Sequence, residues 1–237
     1  SGLYLWDATR AIVRRESAGA DTVAIHSLYR PNARNWQESA GYLRDAIQFL
    51  SDYLWPYPYP VMSMVEGIVA GGMEYPMLTA INGPLDAAGL FALTVHETAH
   101  MWFPMLVGSN ERRYAWQDEG LASFLTDLAI RARNPDRNPG RSTQHAYLND
   151  VEAGGEVELM RHADLYPDYS SFAAASYTKA SMLLHTLNAL LGDEVFRRAL
   201  REYGARWSFR HPQPHDFWNT FEDVAGRDLD WFWSPWF

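Results

Sequence analysis

The 237-residue chain contains no cysteine and a single lysine, Lys179, beside nineteen arginines. The absence of cysteine excludes a disulfide scaffold, an iron–sulfur cluster and any zinc site built from thiolates. The longest apolar stretch, residues 88–95, is far shorter than the ~20 residues that a membrane-spanning helix needs. The first residues show no basic segment followed by an apolar one, so the sequence predicts no transmembrane segment and no signal peptide here.

The charge balance is acidic, with a formal net charge of −9 and an isoelectric point near 5.3. A nucleic-acid-binding protein needs clustered lysine and arginine, so this balance argues against that class and favours neutral or cationic ligands. Hydrophobic residues make up 47% and charged residues 21%, as in ordinary globular domains. We therefore expect a soluble protein, and the composition suits a cytoplasmic, a bacterial cell-envelope or a secreted location equally well. It does not indicate the oligomeric state.

Hydrophobic periodicity predicts an α+β fold, with a small sheet-containing lobe over about residues 1–110 and a mainly helical lobe over about residues 111–237. The length suits one large domain or two small ones, and we expect the two lobes to form a single domain. In the first lobe we predict strands over residues 22–29 and 61–69 and helices over residues 35–53 and 85–103. In the second lobe we predict a loop over residues 134–140 and helices over residues 116–131, 170–191, 193–203, 215–224 and 229–237.

The strongest local pattern is His96-Glu97-Thr98-Ala99-His100, an HExxH motif inside a predicted helix. Residues four apart share a helix face, so His96 and His100 can bind one metal ion together. Glu97 is rotated by about 100° from His96, where it can take a proton from a metal-activated water. The alternative is a helix with two ordinary histidines. The apolar flanks argue against it, because buried histidines and a buried glutamate need partners.

A catalytic zinc ion takes a third protein ligand and leaves a fourth position for water. Eighteen residues separate His100 from Glu119, which lies in the second predicted helix. A short turn near residues 108–113 would let that helix run back and bring Glu119 to the metal. We therefore predict that His96, His100 and Glu119 bind one zinc ion per chain.

These motifs are similar to those of a known family. Residues 95–124 resemble the aminopeptidase-N-like gluzincins of peptidase family M1, whose pattern is HExxH, eighteen residues and a glutamate in a Trp-x-x-Glu-Gly setting. Residues 71–75, Gly-Gly-Met-Glu-Tyr, resemble the family's Gly-x-Met-Glu-Asn signature, and residues 176–180 resemble its Tyr-x-Lys-Gly segment. Residues 228–233 are similar to the end of the family's catalytic domain, so the resemblance spans most of the chain.

The resemblance implies a thermolysin-like zinc peptidase catalytic domain. It implies that Glu97 is the general base and then the acid that protonates the leaving amine. The hydroxyl of Tyr177 would stabilise the oxyanion, with Tyr166 and Tyr169 as alternatives for that role. The family's β-rich preceding domain and helical following domain are not visible in this sequence, so we expect the catalytic domain alone.

The resemblance also implies how the substrate is bound. Glu74 would bind the free α-amine of a peptide, so that cleavage removes one N-terminal residue. Gly71 and Gly72, which have no side chains, would let an extended peptide lie against the strand, and Met73 would contribute to an apolar pocket.

The function that these residues imply is a zinc aminopeptidase acting on peptides with a free N-terminus. Three alternatives stay open: a thermolysin-like endopeptidase, an epoxide hydrolase on the same zinc site, and a non-catalytic scaffold of the same fold. Glu74 argues against the endopeptidase, and the intact ligands and base argue against the scaffold.

The sequence departs from the family pattern at three positions. Tyr75 replaces the final asparagine of the second signature. Pro104 stands where relatives commonly have glycine, and it predicts that the helix ends or kinks just past His100. Thr126 stands where relatives often have an acidic residue, with Asp127 beside it, so either one is a candidate for orienting a ligand histidine.

Overall fold

The computed structural model describes residues 7–14, 22–67 and 70–237 and shows two compact units, residues 1–101 and residues 102–237. The division lies between Met101 and Trp102, earlier than the change near residue 110 that the sequence suggests. That the chain is a single domain stays a prediction.

The described residues of the first unit form one mixed sheet of five strands: β1 (Asp7–Arg14), β2 (Thr22–Tyr29), β3 (Val61–Gly67), β4 (Gly72–Tyr75) and β5 (Leu78–Asn82). The strand order is β1-β2-β3-β5-β4, so β4 is an edge strand. The inner pairs β2–β3 and β3–β5 are parallel, whereas β1–β2 and β4–β5 are antiparallel. The predicted strand over residues 22–29 is confirmed, and the one over residues 61–69 is confirmed up to Gly67. Residues 68 and 69 lie outside the described residues.

Two helices of the first unit pack against this sheet, α1 (Ser39–Tyr53), preceded by a 3₁₀ turn at Trp36–Glu38, and α2 (Ala87–Ala99). α1 contacts β1, β2 and α2, whereas α2 contacts β4 and β5. Buried side chains of α1 have the spacing of one helix face: Leu43, Ala46, Ile47 and Leu50. The predicted helix over residues 35–53 is therefore confirmed, with its first turn in the tighter 3₁₀ form.

The boundaries of α2 differ from the predicted range of residues 85–103. The helix begins at Ala87, because the side chain of Asp86 accepts a hydrogen bond from the backbone N–H of Gly89 at 2.7 Å and caps the N-terminus. It ends at Ala99, with His100 as its C-cap. The predicted end close to His100 is confirmed, since Pro104 has no N–H to offer the carbonyl of His100.

The second unit is mainly helical. Two π-helical segments, named here the first and second π segments, lie at Trp116–Gly120 and Ala174–Lys179, and a 3₁₀ turn lies at Ala163–Leu165. The α-helices are α3 (Leu121–Arg133), α4 (Pro139–Glu152), α5 (Tyr169–Ala173), α6 (Ala180–Leu191), α7 (Asp193–Trp207), α8 (Pro214–Ala225) and α9 (Asp230–Trp233). Four of the predicted helices are confirmed with small shifts of their ends, whereas the one over residues 229–237 is reduced to α9.

Helix α4 is the element that the sequence analysis missed. The predicted loop over residues 134–140 ends too late, because Asn138 caps the helix by accepting a hydrogen bond from the N–H of Arg141 at 3.2 Å and Pro139 is its first residue. No residue of α4 is fully buried. The helix therefore has no strong apolar stripe for a periodicity analysis to detect.

Aromatic side chains form much of the core of the second unit. The ring of Trp116, at the start of the first π segment, lies 5.5 Å from that of Phe217 on α8 and 4.9 Å from that of Phe237. Phe217 in turn lies 4.4 Å from Phe221. Trp116 is fully buried in this cluster, so the beginning of the first π segment is firmly held.

Within the part of the chain that the structure describes, no helix combines the length and the apolar character that crossing a lipid bilayer requires.

Candidate active site

Helix α2 presents its two histidines to the same side. The ring centroids of His96 and His100 are 4.8 Å apart and the rings are nearly perpendicular, at 84°. One ring nitrogen of each lies within 4.8 Å of that of the other. His100 is buried, and His96 is partly exposed. One turn of helix thus brings two potential nitrogen ligands together, as the HExxH spacing predicts.

The side chain of Glu97 lies against strand β4. It is only 3% exposed, and a Cβ atom added to Gly72 would overlap with its carboxylate. Gly72 therefore leaves the space that the carboxylate of Glu97 occupies. The family resemblance implies only that Gly72 makes room for a peptide substrate, so this contact with Glu97 was not predicted.

Glu74 is the buried acidic residue of β4. It pairs in register with Thr79 of β5 and is 9% exposed. One of its carboxylate oxygens lies within 4.8 Å of a ring nitrogen of His100. The glutamate that the family resemblance assigns to the substrate amine is therefore a neighbour of a predicted metal ligand.

Side chains alternate along β4, which places Gly72 and Glu74 on one face and Met73 and Tyr75 on the other. Tyr75 is 49% exposed. The backbone of Gly71, just before the strand, has a φ of +85°, in the region that favours glycine. Met73 and Tyr75 thus do not share the face of Glu74, and the contact of Met73 with substrate stays a prediction.

In the second unit, Glu119 lies on the first π segment and Tyr177 on the second. The Tyr177 hydroxyl donates a hydrogen bond to Oε1 of Glu119 at 2.6 Å. π-Helical turns are rare and occur frequently at functional sites. The residues that the resemblance assigns to the metal and to the oxyanion are therefore in direct contact, although no sequence pattern predicts either π turn.

A glycine allows the two π segments to approach this closely. A Cβ atom added to Gly120 would lie 2.5 Å from the Cβ of Ala180, the first residue of α6. That distance is much shorter than van der Waals contact. The glycine directly after Glu119 therefore sets the spacing at which Tyr177 can reach it.

Burial raises the pKa of the Tyr177 hydroxyl well above its usual range, and the negative charge of Glu119 raises it further. The hydroxyl therefore keeps its proton at neutral pH and acts as a donor. The two alternatives differ in their surroundings: Tyr166 donates to the backbone carbonyl of Glu158 at 3.1 Å, and Tyr169 is 74% exposed. Among these three tyrosines, the contact with Glu119 favours Tyr177.

The two candidates for orienting a ligand histidine make contacts inside the second unit. The hydroxyl of Thr126 donates to the carbonyl of Ala122 at 2.8 Å, within α3. Oδ2 of Asp127 accepts a hydrogen bond from the hydroxyl of Thr143 at 2.9 Å and lies 2.9 Å from Nε2 of His185. Asp127 therefore links α3 to α4 and α6.

Comparison with known proteins places these features in a family. The chain matches the model of the peptidase family M1 domain over residues 40–236. It is 29% identical over 212 residues to aminopeptidase M1-C of Oryza sativa subsp. japonica, an alignment that covers 81% of this chain and 24% of that protein. It is 25% identical over 212 residues to aminopeptidase N of Lactococcus lactis subsp. lactis, with 80% of this chain and 25% of that protein covered. The chain thus spans about a quarter of the length of these relatives.

The fold is also similar to that of a solved structure, the M1 zinc metallopeptidase from Deinococcus radiodurans. The TM-score is 0.76 at 20% sequence identity, and the match covers 98% of this chain and 51% of that chain. This similarity confirms the predicted α+β fold. Because the family model matches most of its length, the chain belongs to peptidase family M1. The resemblance inferred from the motifs is confirmed.

Proposed function

We propose that the chain is the zinc-dependent catalytic domain of an aminopeptidase, which removes N-terminal residues from peptides. The observation that carries the proposal is the arrangement on α2 and β4, where two histidines share a helix face and Glu97 and Glu74 lie buried beside them. Membership in family M1 supports it, as do the names of the relatives, which are aminopeptidases.

The proposed metal ligands are His96, His100 and Glu119. Two imidazoles and one carboxylate are a donor set typical of catalytic zinc. The hydrogen bond that Glu119 accepts from Tyr177 keeps the tyrosine hydroxyl beside the proposed carboxylate ligand in the structure. When bound, zinc would act as a Lewis acid. It would polarise the scissile carbonyl and lower the pKa of a water molecule, so that this water can lose a proton and attack the carbonyl.

The proposed proton carrier is Glu97. Its carboxylate would take the proton from the attacking water and return it to the nitrogen of the leaving amine. The contact with Gly72 places this carboxylate beside the edge strand β4. An extended peptide can pair with an edge strand, so the scissile bond would pass close to Glu97.

The proposed donor to the oxyanion is Tyr177. In the structure its hydroxyl donates to Glu119, and during the reaction it would donate to the oxygen of the carbonyl under attack. Because the pKa of the hydroxyl is raised, the group stays a donor and does not become a competing anion.

The proposed substrate-specificity residue is Glu74. Its buried carboxylate would pair with the free α-amine, which restricts cleavage to the first peptide bond. Among the described residues, no atom lies within 4 Å of a Cβ added to Gly71, and this open space would let the peptide backbone come close to the start of β4.

Metal analysis combined with two matched substrates tests the proposal. We expect about one zinc per chain, and hydrolysis of aminoacyl-anilides with a free amine but not of their N-acetylated forms. An acetamide leaves the carboxylate of Glu74 without its cationic partner, which costs about 3–5 kcal/mol, or roughly 10²- to 10³·⁷-fold in kcat/KM. Equal cleavage of free and N-blocked peptides at internal bonds would instead identify an endopeptidase. Epoxide hydrolysis without peptide cleavage, or zinc binding without any turnover, would also refute the proposal.

A further inference from the structure

The only lysine of the 237 residues, Lys179, is buried, with 6% of its surface exposed. Its ammonium group lies 2.9 Å from Oε1 of Glu156 and donates a hydrogen bond to the carbonyl of Val157 at 3.1 Å. Both acceptors lie in the segment that follows α4. A buried ammonium group is tolerated only when it is paired and hydrogen bonded, so this contact fixes Lys179 relative to that segment.

Glu156 connects a third element to the pair. The hydroxyl of Tyr147, on α4, donates a hydrogen bond at 3.0 Å to the same Oε1. Hydrogen bonds from Lys179 and Tyr147 lower the pKa of the Glu156 carboxyl, which therefore stays ionised at neutral pH. The carboxylate thus joins α4, the segment after it and the second π segment.

The position of Lys179 relates this junction to the candidate active site. Lys179 is the last residue of the second π segment, two residues after Tyr177. Residues two apart on a helix do not face each other, so Lys179 holds one side of the segment while Tyr177 reaches Glu119 from another. The ring of Phe172 also contacts Tyr177, edge to face, with centroids 6.0 Å apart.

We propose that the Lys179–Glu156 ion pair is a positioning device for Tyr177, which fixes the second π segment so that the tyrosine hydroxyl lies where the oxyanion forms. Lys179 touches neither substrate nor metal in this scheme and acts through Tyr177. The inference rests on the proposed function, since it takes Tyr177 to be the donor to the oxyanion.

Three variants and a control test this role in the zinc-loaded chain. We expect Lys179→Met and Glu156→Gln to lower kcat by roughly 10- to 100-fold, because a misplaced catalytic group loses about that much, with KM and zinc content nearly unchanged. Lys179→Arg keeps the charge and should restore most of the loss. The control is Glu158→Gln in the same segment, whose ion pair with Arg161 at 3.0 Å is largely exposed and whose loss should leave kcat unchanged.

A double-mutant cycle separates positioning from a general structural role. In the Tyr177→Phe background, Glu156→Gln should cause no further loss of kcat, because the group that it positions is already gone. Fully additive losses would overturn the inference, and so would normal kcat in Lys179→Met. If Tyr177→Phe itself keeps normal kcat, the role of Tyr177 in the proposed function fails together with the inference. If Tyr177→Phe lowers kcat whereas Lys179→Met and Glu156→Gln leave it normal, the inference is overturned but the role of Tyr177 in the proposed function is not.

A measurement that needs no activity examines the ion pair directly. Labelling with ¹⁵N-lysine gives one side-chain signal, since the chain has one lysine. We expect the ammonium protons on Nζ to exchange slowly with solvent in the unmodified chain and in Tyr177→Phe. In Glu156→Gln the Nζ signal should shift and its protons should exchange faster. A signal that exchanges as fast as that of an exposed lysine in the unmodified chain would show that the pair does not form.

Discussion

The residues proposed for catalysis are held in different ways in the two units of this chain. In the first unit, His96, Glu97 and Glu74 lie on a regular helix and a regular strand, and local spacing alone explains their geometry. In the second unit, Glu119 and Tyr177 lie on π turns whose positions depend on contacts far apart in the sequence. Local periodicity therefore positions the proposed residues of the first unit, whereas long-range packing positions those of the second unit.

The largest expected effect concerns Glu97, which lies on the regular helix α2. Glu97→Gln removes the proposed base and leaves the proposed ligands, so we expect kcat to fall by about 10²- to 10⁴-fold while zinc content stays the same. Turnover of aminoacyl-anilides and metal analysis measure the two quantities. Glu38→Gln, an exposed glutamate in the same unit, is the matched control. Near-normal turnover of Glu97→Gln would contradict the proposed role of Glu97 in proton transfer.

The next largest effect concerns the packing between the two π segments. Gly120→Ala inserts a methyl group against the Cβ of Ala180, so the two π segments must move apart. We expect a loss of about 1–3 kcal/mol in the free energy of unfolding, as for other overpacked sites, and a fall in kcat as Tyr177 moves away from Glu119. Chemical denaturation and steady-state kinetics measure both. An unchanged stability would contradict the close approach of the segments.

A smaller effect is expected at the start of the edge strand. Gly71 has a positive φ, and no atom of the described residues lies within 4 Å of an added Cβ, so Gly71→Ala strains the backbone without a clash with that part of the chain. We expect a loss of about 1 kcal/mol in the free energy of unfolding. Denaturant titration measures it, and a loss as large as that of Gly120→Ala would mean that the contrast between strain and packing is wrong.

The smallest expected effect is a gain in stability. Gly41 lies inside α1, again with no atom within 4 Å of an added Cβ, and its φ is not positive. Gly41→Ala should raise the free energy of unfolding by about 0.5–1 kcal/mol, because alanine loses less conformational freedom in a helix. It is the matched control for both other glycine variants, and destabilisation by this change would undermine their interpretation.

Sequence reasoning succeeded where a short-range pattern decides the structure. The spacing of His96 and His100, and the alternation along the strand at residues 22–29, follow from local periodicity. It missed α4, which buries no side chain fully, and both π turns, whose flanking residues have ordinary helical dihedrals. It also missed Glu156 as the partner of Lys179, because a loop residue 23 positions away carries no periodic signal.

The position of β4 at the end of the sheet has a consequence for solubility. An edge strand offers its N–H and C=O groups to an extended peptide, as proposed for this chain, but also to strands of other molecules, which is a route to aggregation. β4 is only four residues long and follows a glycine with a positive φ, so it can offer few consecutive backbone groups. A substitution that lengthened this strand would therefore make the protein more prone to precipitate, even where catalysis was unaffected.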